Sequence, residues 1–505
     1  MSLLSAMIAQ VDLTFVLLVF AGSFAGLFVG AIPGLSVTMA TALLVSVTFT
    51  WSVKNALAVM LGVFVSGVYA GAVSAILINI PGAPSSVVTT LDGYPMARKG
   101  EAGLALWAAT FHSFVGSVFG FLVLMFVAKP MTDFALTFTA MDYFLLALFG
   151  MTTIGTLTAK NYVKGGICAL AGLLLSMVGI DPFSGTARYA FGVSDLQGGI
   201  SLIAALIGLF GFAEVLDQVA RGTMEAIAGK AGRVKFSVRQ MMPYMPLSIR
   251  ASIIGTFIGA LPGAGGPVAS IIAYDHARRT VKNPSRPFGE GAIEGVVASE
   301  AANNACIGGA LIPMLTLAIP GDAVTAVMLA AFYVHGLQPG PLLFVRTPEL
   351  FAMVLAGGFT ACFALLLLGV TAVPRMAGVV LIPKKILLPV VTVLCVVGTY
   401  AVNSSMFDVT LMFFFGLAGF LMRIRGYPAA PLVLGLVLGE MMDSNLRRAI
   451  NMAMAGDNIL LELFGRPSSL ILSALVIISI GAAVPAVKAR VGAAARRILP
   501  LIGGR

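Results

Sequence analysis

Four Pro-Gly pairs, Pro33–Gly34, Pro81–Gly82, Pro262–Gly263 and Pro320–Gly321, interrupt otherwise apolar sequence. The third lies in GALPGAGGPVAS (259–270), four glycines and two prolines in twelve residues, the poorest helix-forming composition available. A break of this kind ends one helix and starts another. The new start carries unpaired N–H donors and a partial positive charge, and the unwound chain beside it exposes carbonyl oxygens. The first suits an anion; the second, with hydroxyls, suits a small cation. The polar residues near the breaks are hydroxyls and amides: Ser36, Thr38, Asn79, Ser85, Ser86, Thr89, Asn303, Asn304 and Thr325. All of these but Thr38, with Pro33, Gly34, Gly82, Gly263, Gly265, Gly266, Gly321 and Asp322, form the candidate solute-binding set. No Lys or Arg falls in any of the four motifs, so an anion there must be held by helix ends and hydroxyls, without a fixed cation that would bind it too tightly to release. Ser36, Thr38, Glu300 and Asp322 are the candidate cation-coupling residues.

Each candidate has a plainer reading. A hydroxyl in an apolar helix commonly bonds its own backbone; Ser85 and Ser86, directly after a break, are the exceptions that rank first. Glu300 could make a structural hydrogen bond, although ionisable groups in membrane segments mark functional sites by default. The ridges Gly22-Gly26-Gly30-Gly34 and Gly255-Gly259-Gly263 serve close helix packing equally well.

These residues need a membrane scaffold. Of 505 residues, 59% are hydrophobic and only 10% charged, against about 25% charged in soluble domains. Apolar runs recur at 13–32, 56–78, 104–127, 134–157, 202–215, 350–373 and 470–487, each near the length of about 20 residues that crosses a bilayer. This predicts an all-α polytopic membrane protein of about 11 to 13 crossings or half-crossings. The N-terminus lacks the basic region and cleavage site of a secretory signal and reads as the lead-in to the first membrane segment. Cys168, Cys306, Cys362 and Cys395 stand apart, with no CxxC, and are expected to be inert core residues.

The net charge of +10 is uneven. Arg221, Lys230, Arg233, Lys235, Arg239 and Arg250 face Glu225 alone; Arg278, Arg279, Lys282 and Arg286 form a second basic loop; Lys488, Arg490, Arg496, Arg497 and Arg505 end the chain. Short basic loops stay cytoplasmic. Nucleic-acid binding is a poor reading, since the basic segments lack interleaved aromatics and adjoin membrane spans. With basic loops on both flanks, Ala251–Tyr274 is expected to enter and leave on one face, with LPGAGGP at the tip of a re-entrant hairpin; a kinked span is the alternative.

The breaks come in matched pairs. GLFVGAIPGLSVT (26–38) aligns with GTFIGALPGAGGP (255–267), and ILINIPGAPSSVVTT (76–90) with LTLAIPGDAVTAVML (315–329). The interval from Pro33 to Pro81 is 48 residues and from Pro262 to Pro320 it is 58, the extra ten falling in the basic loop around Arg278. The expected architecture is two related, inverted repeats with broken helices or re-entrant hairpins: a first transmembrane repeat (1–220), a basic cytoplasmic linker (221–250), a second repeat with extra helices (251–487) and a basic cytoplasmic tail (488–505). Paired, interrupted segments are the best sequence pointer to a secondary transporter's binding site. LDGYPMARKGEAG, after the first I-P-G, contains Asp92-Gly93 and several charges and is expected to be a surface loop.

INIPGAPSSVVTTLDGYPMARKGEAGLAL (78–106) and EGVVASEAANNACIGGALIPMLTLAIPGDAVTAVML (294–329) resemble the two signature regions of the large membrane subunit of tripartite tricarboxylate transporters. The likeness extends over essentially the whole chain. It implies a multi-pass protein of the bacterial inner membrane that imports a small di- or tricarboxylate, coupled to Na+ or H+. It also implies two partners, a small membrane subunit and a periplasmic solute-binding protein; a homodimer is compatible with it. Asp322 departs from the small residue usual in the family after the second I-P-G, which points to an altered substrate or an added cation ligand. No resident cofactor is expected, only Na+ as a coupling ion. Coupling also follows from the membrane potential: importing a dianion costs about 4.6 kcal/mol at 100 mV, and at least three monovalent cations must enter with it for the potential to drive uptake.

Two other classes stand against this. A stand-alone channel or facilitator for small anions would need neither a binding protein nor an ion gradient. An intramembrane enzyme is disfavoured, since HExxH, G-x-S-x-G and a paired aspartate arrangement are all absent. Three scattered histidines, His112, His276 and His335, make no metal site.

Overall fold

The protein is described from a computed structural model, which covers residues 3–157, 162–221, 236–373, 376, 384–455, 460 and 465–483. Much of the expected basic linker, including Lys230, Arg233 and Lys235, and the whole basic tail lie outside the described residues. Among the described residues, six helices are long and apolar enough to cross a membrane, and six further apolar helices have 10–17 residues. Apolar side chains such as Phe126, Phe257 and Phe414 are more than 60% exposed on helix faces, as a lipid-facing surface requires. The protein is a multi-pass membrane protein.

Two compact units divide the chain: 1–136 with 200–424, and 137–199 with 425–505. The first begins with α1 (Leu3–Gln10), α2 (Leu13–Ala31), α3 (Val37–Thr48), α4 (Val53–Ile78), α5 (Val87–Arg98) and α6 (Ala102–Ala135). The second unit holds α7 (Ala140–Leu157) and α8 (Tyr162–Ser176), followed by a two-residue antiparallel pair, β1 (Gly179–Ile180) and β2 (Ala187–Arg188). Back in the first unit are α9 (Leu202–Leu206), a π-helical turn (Ile207–Phe212), α10 (Ala213–Arg221), α11 (Val238–Met241), α12 (Met245–Ala260), α13 (Gly265–Thr280), α14 (Ile293–Leu317), α15 (Ala323–Val334), α16 (Leu343–Arg346), α17 (Pro348–Thr371), α18 (Lys384–Asn403) and α19 (Met406–Ile424). The second unit closes with α20 (Ala429–Ala455) and α21 (Pro467–Ala483).

In the second unit, the carboxylate of Asp142 accepts hydrogen bonds from Thr139, Ser468 and Ser469, which joins the starts of α7 and α21. Arg188 and Arg447 pair with Asp443, and Arg447 reaches Asp181 at 3.2 Å. The apolar run read from 134 to 157 is split here, with α6 ending at Ala135 and α7 starting at Ala140.

In the first unit, two helices form the centre. All 25 residues of α14 are buried, and α4 is buried over nearly its whole length. They run antiparallel: the Asn303 amide donates to the Val68 carbonyl (3.5 Å) and the Asn304 amide to the Val65 carbonyl (3.3 Å). Helix α2 lies parallel to α4, with Gly22, Gly26 and Gly30 against the backbone of Val59, Val63 and Gly67. Their starts are tied together by Lys54 Nζ and Asp12 (2.6 Å), and the same carboxyl caps α2 by accepting from the Phe15 N–H. Two consecutive long helices can run parallel only if the chain between them returns. The break at 32–36 turns it, and α3 brings it back.

The second half repeats this. Gly255 and Gly259 of α12 meet Ala302 and Cys306 of α14 with rising numbers, while Gly266 and Tyr274 of α13 meet Asn303 and Gly295 with falling ones. Helices α12 and α13 therefore form a hairpin tipped by LPGAGGP. The glycine ridges are where backbones touch: a Cβ on Gly26 would lie 2.5 Å from the Val63 carbonyl oxygen, and one on Gly259 2.3 Å from that of Cys306. Any side chain there would push the pair apart.

The segment after the first I-P-G is helical, not a surface loop. Asp92 and Gly93 lie within α5, and Asp92 is 0% exposed. Its Oδ1 accepts from the backbone N–H groups of Gly289, Gly291 and Ala292 at 2.8–2.9 Å, and its Oδ2 accepts from the Tyr274 hydroxyl (2.9 Å). The Asp-Gly pair signals a turn only while its carboxylate has nothing else to bind; here a distant loop supplies three donors and α13 a fourth.

Candidate functional site

The four breaks have paired geometry. Gly34 and Gly263 have positive φ (93° and 74°), and α4 and α14 each end on a left-handed residue, Asn79 (φ 57°) and Ala318 (φ 58°). Beyond those ends, Gly82 lies against the Gly30 carbonyl and Gly321 against that of Gly259. The Gly263 N–H also donates to the Gly321 carbonyl (2.7 Å), which locks the third break to the fourth.

A cavity of about 180 Å³ lies where the breaks meet. Its wall contains Ser36, Val37 and Thr38 from the first break, Ala83, Pro84 and Ser85 from the second, Gly265, Gly266 and Pro267 from the third, and Asp322, Ala323 and Val324 from the fourth. Phe64 and Val68 of α4, and Asn303, Cys306 and Ile307 of α14, complete it. The lining is paired by position. Ser36/Gly265, Val37/Gly266 and Thr38/Pro267 are each 229 residues apart; Ala83/Asp322, Pro84/Ala323, Ser85/Val324, Phe64/Asn303 and Val68/Ile307 are each 239 apart. Cys306 is the one lining residue outside these pairs.

Each break starts a helix at this cavity: α3 at Val37, the 3-10 turn Pro84–Ser86 that leads into α5, α13 at Gly265 and α15 at Ala323. A helix start carries roughly +0.5 elementary charge, so four of them supply positive potential to the hollow, partly offset by Asp322, although no Lys, Arg or His lines it among the described residues. Two starts are capped from within. Ser36 Oγ accepts from the Met39 N–H (3.0 Å), and Asp322 Oδ1 accepts from the N–H and hydroxyl of Thr325 (2.8 Å each). The starts at Pro84 and Gly265 have no side-chain cap; Pro84 and Pro267 lack an N–H and that of Ser86 donates to the Ala83 carbonyl, which leaves the N–H groups of Ser85, Gly265 and Gly266 for a ligand.

Of the residues expected from sequence, Ser36, Thr38, Ser85, Gly265, Gly266, Asn303 and Asp322 line the cavity. The others stand behind it. Gly34, Gly82, Gly263 and Gly321 shape the breaks, Pro33 enters the first, Asn79 ends α4 and Thr325 caps Asp322. Ser86 is fully buried beside Gly71, and its hydroxyl makes no hydrogen bond. Asn304 donates to Ser117 Oγ (2.9 Å). Glu300 is 0% exposed and lies off the cavity. It accepts from the hydroxyls of Thr89 and Ser113, with no basic partner among the described residues. Sequence reasoning missed Val37, Ala83, Pro84, Pro267, Ala323 and Val324 beside the breaks, and Phe64, Val68, Cys306 and Ile307 on α4 and α14; their apolar side chains carry no signal that separates a cavity wall from a packed helix.

A family model described as "Tripartite tricarboxylate transporter TctA family" matches residues 16–434. The chain belongs to the TctA family. This TctA protein is thus a transport subunit and not an enzyme, and both hairpins, both I-P-G breaks and the whole cavity lie inside the matched range. An uncharacterised 52.8 kDa protein of Agrobacterium vitis, from the TAR-I ttuC' 3' region, is 36% identical over 432 residues, covering 85% of this chain and 86% of its own. An uncharacterised protein from the TAR-II ttuC' 3' region of the same organism is 36% identical over 196 residues, 39% of this chain and 81% of its own. No solved structure matches the chain.

Proposed function

We propose that this TctA protein is the transport subunit of a cation-coupled importer of small di- or tricarboxylates in the bacterial inner membrane. A small membrane subunit accompanies it, and a periplasmic solute-binding protein delivers the substrate. The substrate sits in the cavity among the four breaks, with carboxylate groups at the helix starts of Pro84–Ser85 and Gly265–Gly266 and within reach of Ser36, Thr38 and Ser85. The observation that carries this is the convergence of four helix starts on one hollow with no basic side chain. Such a site attracts an anion, yet holds it by peptide dipoles and hydroxyls that can let it go.

The two repeats are related by inversion across the membrane. Support comes from helix direction: α4 and α14 run antiparallel, while each runs parallel to the first helix of its own repeat. The two hairpins then open at opposite ends, one towards each side, a construction suited to alternating access. Cation coupling draws on Asp322 at the cavity and Glu300 behind it. Two acids held among neutral groups are costly unless a proton or metal ion balances them.

The test is uptake of radiolabelled four-carbon dicarboxylates and citrate by proteoliposomes holding both membrane subunits. Imposed Na+ or H+ gradients and the periplasmic protein are added or withheld. Uptake that requires an inward cation gradient and the binding protein is expected. Equilibration without either would mark a facilitator instead.

A further inference from the structure

The paired lining of the cavity is chemically one-sided. Where the first repeat places Ala83 and Phe64, the second places Asp322 and Asn303. Asn303 is 1% exposed, and its Oδ1 has no hydrogen-bond partner. Its amide nitrogen is turned towards the Val68 carbonyl, which fixes the oxygen on the other side, against Gly266: a Cβ on Gly266 would lie 2.4 Å from it. Asp322 flanks the adjacent glycine, its Cβ 3.2 Å from where a Cβ on Gly265 would sit. Asp322 and the orphaned amide oxygen of Asn303 thus flank neighbouring glycines on the wall of one cavity. Thr325 holds Oδ1 of Asp322 from its N–H and hydroxyl, so the carboxylate is fixed in place.

We propose that the cavity binds a sodium ion between the Asp322 carboxylate and the Asn303 side-chain oxygen, next to the substrate carboxylate held at the Gly265–Gly266 helix start. Charge balance favours a monovalent ion. Four helix starts supply roughly +2, which a dicarboxylate cancels, and the charge of Asp322 then remains to be met by one cation. The ligands are hard oxygens, the type that takes alkali and alkaline-earth ions in preference to zinc or copper. The absence of equivalents at Ala83 and Phe64 limits the cavity to one such site. The inference rests on the proposed carboxylate importer and gives one of its coupling ions a place.

Purified full-length protein tests it, with thermal unfolding followed in NaCl, KCl and choline chloride at equal ionic strength. A ligand that binds only the folded state raises the midpoint in a saturable way. The expected result is a sodium-specific rise of several degrees in the wild type. It should be absent in Asp322→Asn, reduced in Asn303→Leu and kept in Glu101→Gln, an acid far from the cavity. Asn is itself a good helix cap, so Asp322→Asn retains the fold. An unchanged sodium response in Asp322→Asn, or no sodium response in the wild type, overturns the site. Uptake in proteoliposomes separates this from failure of the underlying reading. Gradient-driven uptake alongside either thermal result leaves the importer standing without this ion site, whereas uptake indifferent to every ion gradient removes the importer itself.

Discussion

Gly321 lies against the carbonyl oxygen of Gly259, so closely that a Cβ built on Gly321 would sit 2.5 Å from it. The same relation joins Gly82 to Gly30, at 2.1 Å. Each I-P-G break is thereby seated on the glycine-lined helix end at the break before it, which is what brings the helix starts to one cavity. Gly321→Ala must displace backbone, since the clashing atom belongs to the main chain. Overpacking of this kind costs about 1–3 kcal/mol. The expected outcome is a lowered unfolding midpoint together with uptake reduced at least tenfold; an alanine variant with normal uptake would mean that the seating does not shape the site.

Asp92 ties the end of α5 to the loop before α14 through three backbone donors and one tyrosine hydroxyl. Asp92→Ala leaves four donors without an acceptor, three of them on the buried residues Gly291, Ala292 and Tyr274, at about 1–3 kcal/mol for each that water cannot reach. Tyr274→Phe removes a single donor and leaves the rest of the network intact, and is expected to cost about 1 kcal/mol. Chemical or thermal unfolding of the two variants should rank them far apart. Equal losses would show that the tyrosine bond alone holds the latch.

These two cases mark what could be read from the sequence. The breaks were legible because proline and glycine act locally, through a missing N–H and freedom at positive φ, and their paired order along the chain needed no knowledge of contacts. Seven of the expected site residues, six for the solute and Thr38 for the cation, line the cavity for the same reason: they closely follow a break or, like Asn303, are polar in an apolar helix. Asp92 was misread since its turn-forming tendency is also local, and only a loop some 200 residues away overrides it. The apolar wall at Phe64, Val68 and Ile307 was invisible, because lipid, a neighbouring helix and a cavity all select the same side chains. The compact unit that joins 137–199 to 425–505 escaped notice for a related reason, as apolar helix faces say little about which partner they will meet.

Glu101 and Arg286 form a two-point ion pair, with both contacts at 2.6 Å, between the start of α6 and the basic loop. The hydrogen bond from Arg286 holds the Glu101 carboxyl below its ordinary value of 4.5. A depressed carboxyl contributes stability above the unfolded-state value, and that contribution is lost as pH falls through the lower folded-state value. The pair therefore acts in full at neutral pH and fades below about pH 4.5. Both side chains are about one-third exposed, so solvent screening keeps the contribution under about 1 kcal/mol. A double-mutant cycle with Glu101→Gln and Arg286→Ala should give a small coupling at pH 7 that shrinks as the pH is lowered below 4.5. A coupling that grew on acidification would contradict the assignment.

Ser85 and Ser86 are adjacent and both buried, yet only Ser85 lines the cavity. Ser85 follows Pro84 at an uncapped helix start and packs beside Gly266, whereas the Ser86 hydroxyl is turned towards Gly71. A hydroxyl that donates to a carboxylate contributes about 1.5–3 kcal/mol, or roughly 10- to 100-fold in affinity. Ser85→Ala should therefore raise the KM for carboxylate uptake by that factor, with little change in thermal stability, since the cavity already offers space there. Ser86→Ala removes a hydroxyl that makes no hydrogen bond. It should leave KM much closer to that of the wild type and, if anything, raise the unfolding midpoint by relieving an unpaired buried polar group. The opposite ranking, with Ser86 governing KM and Ser85 silent, would move the substrate out of the cavity and behind the second break.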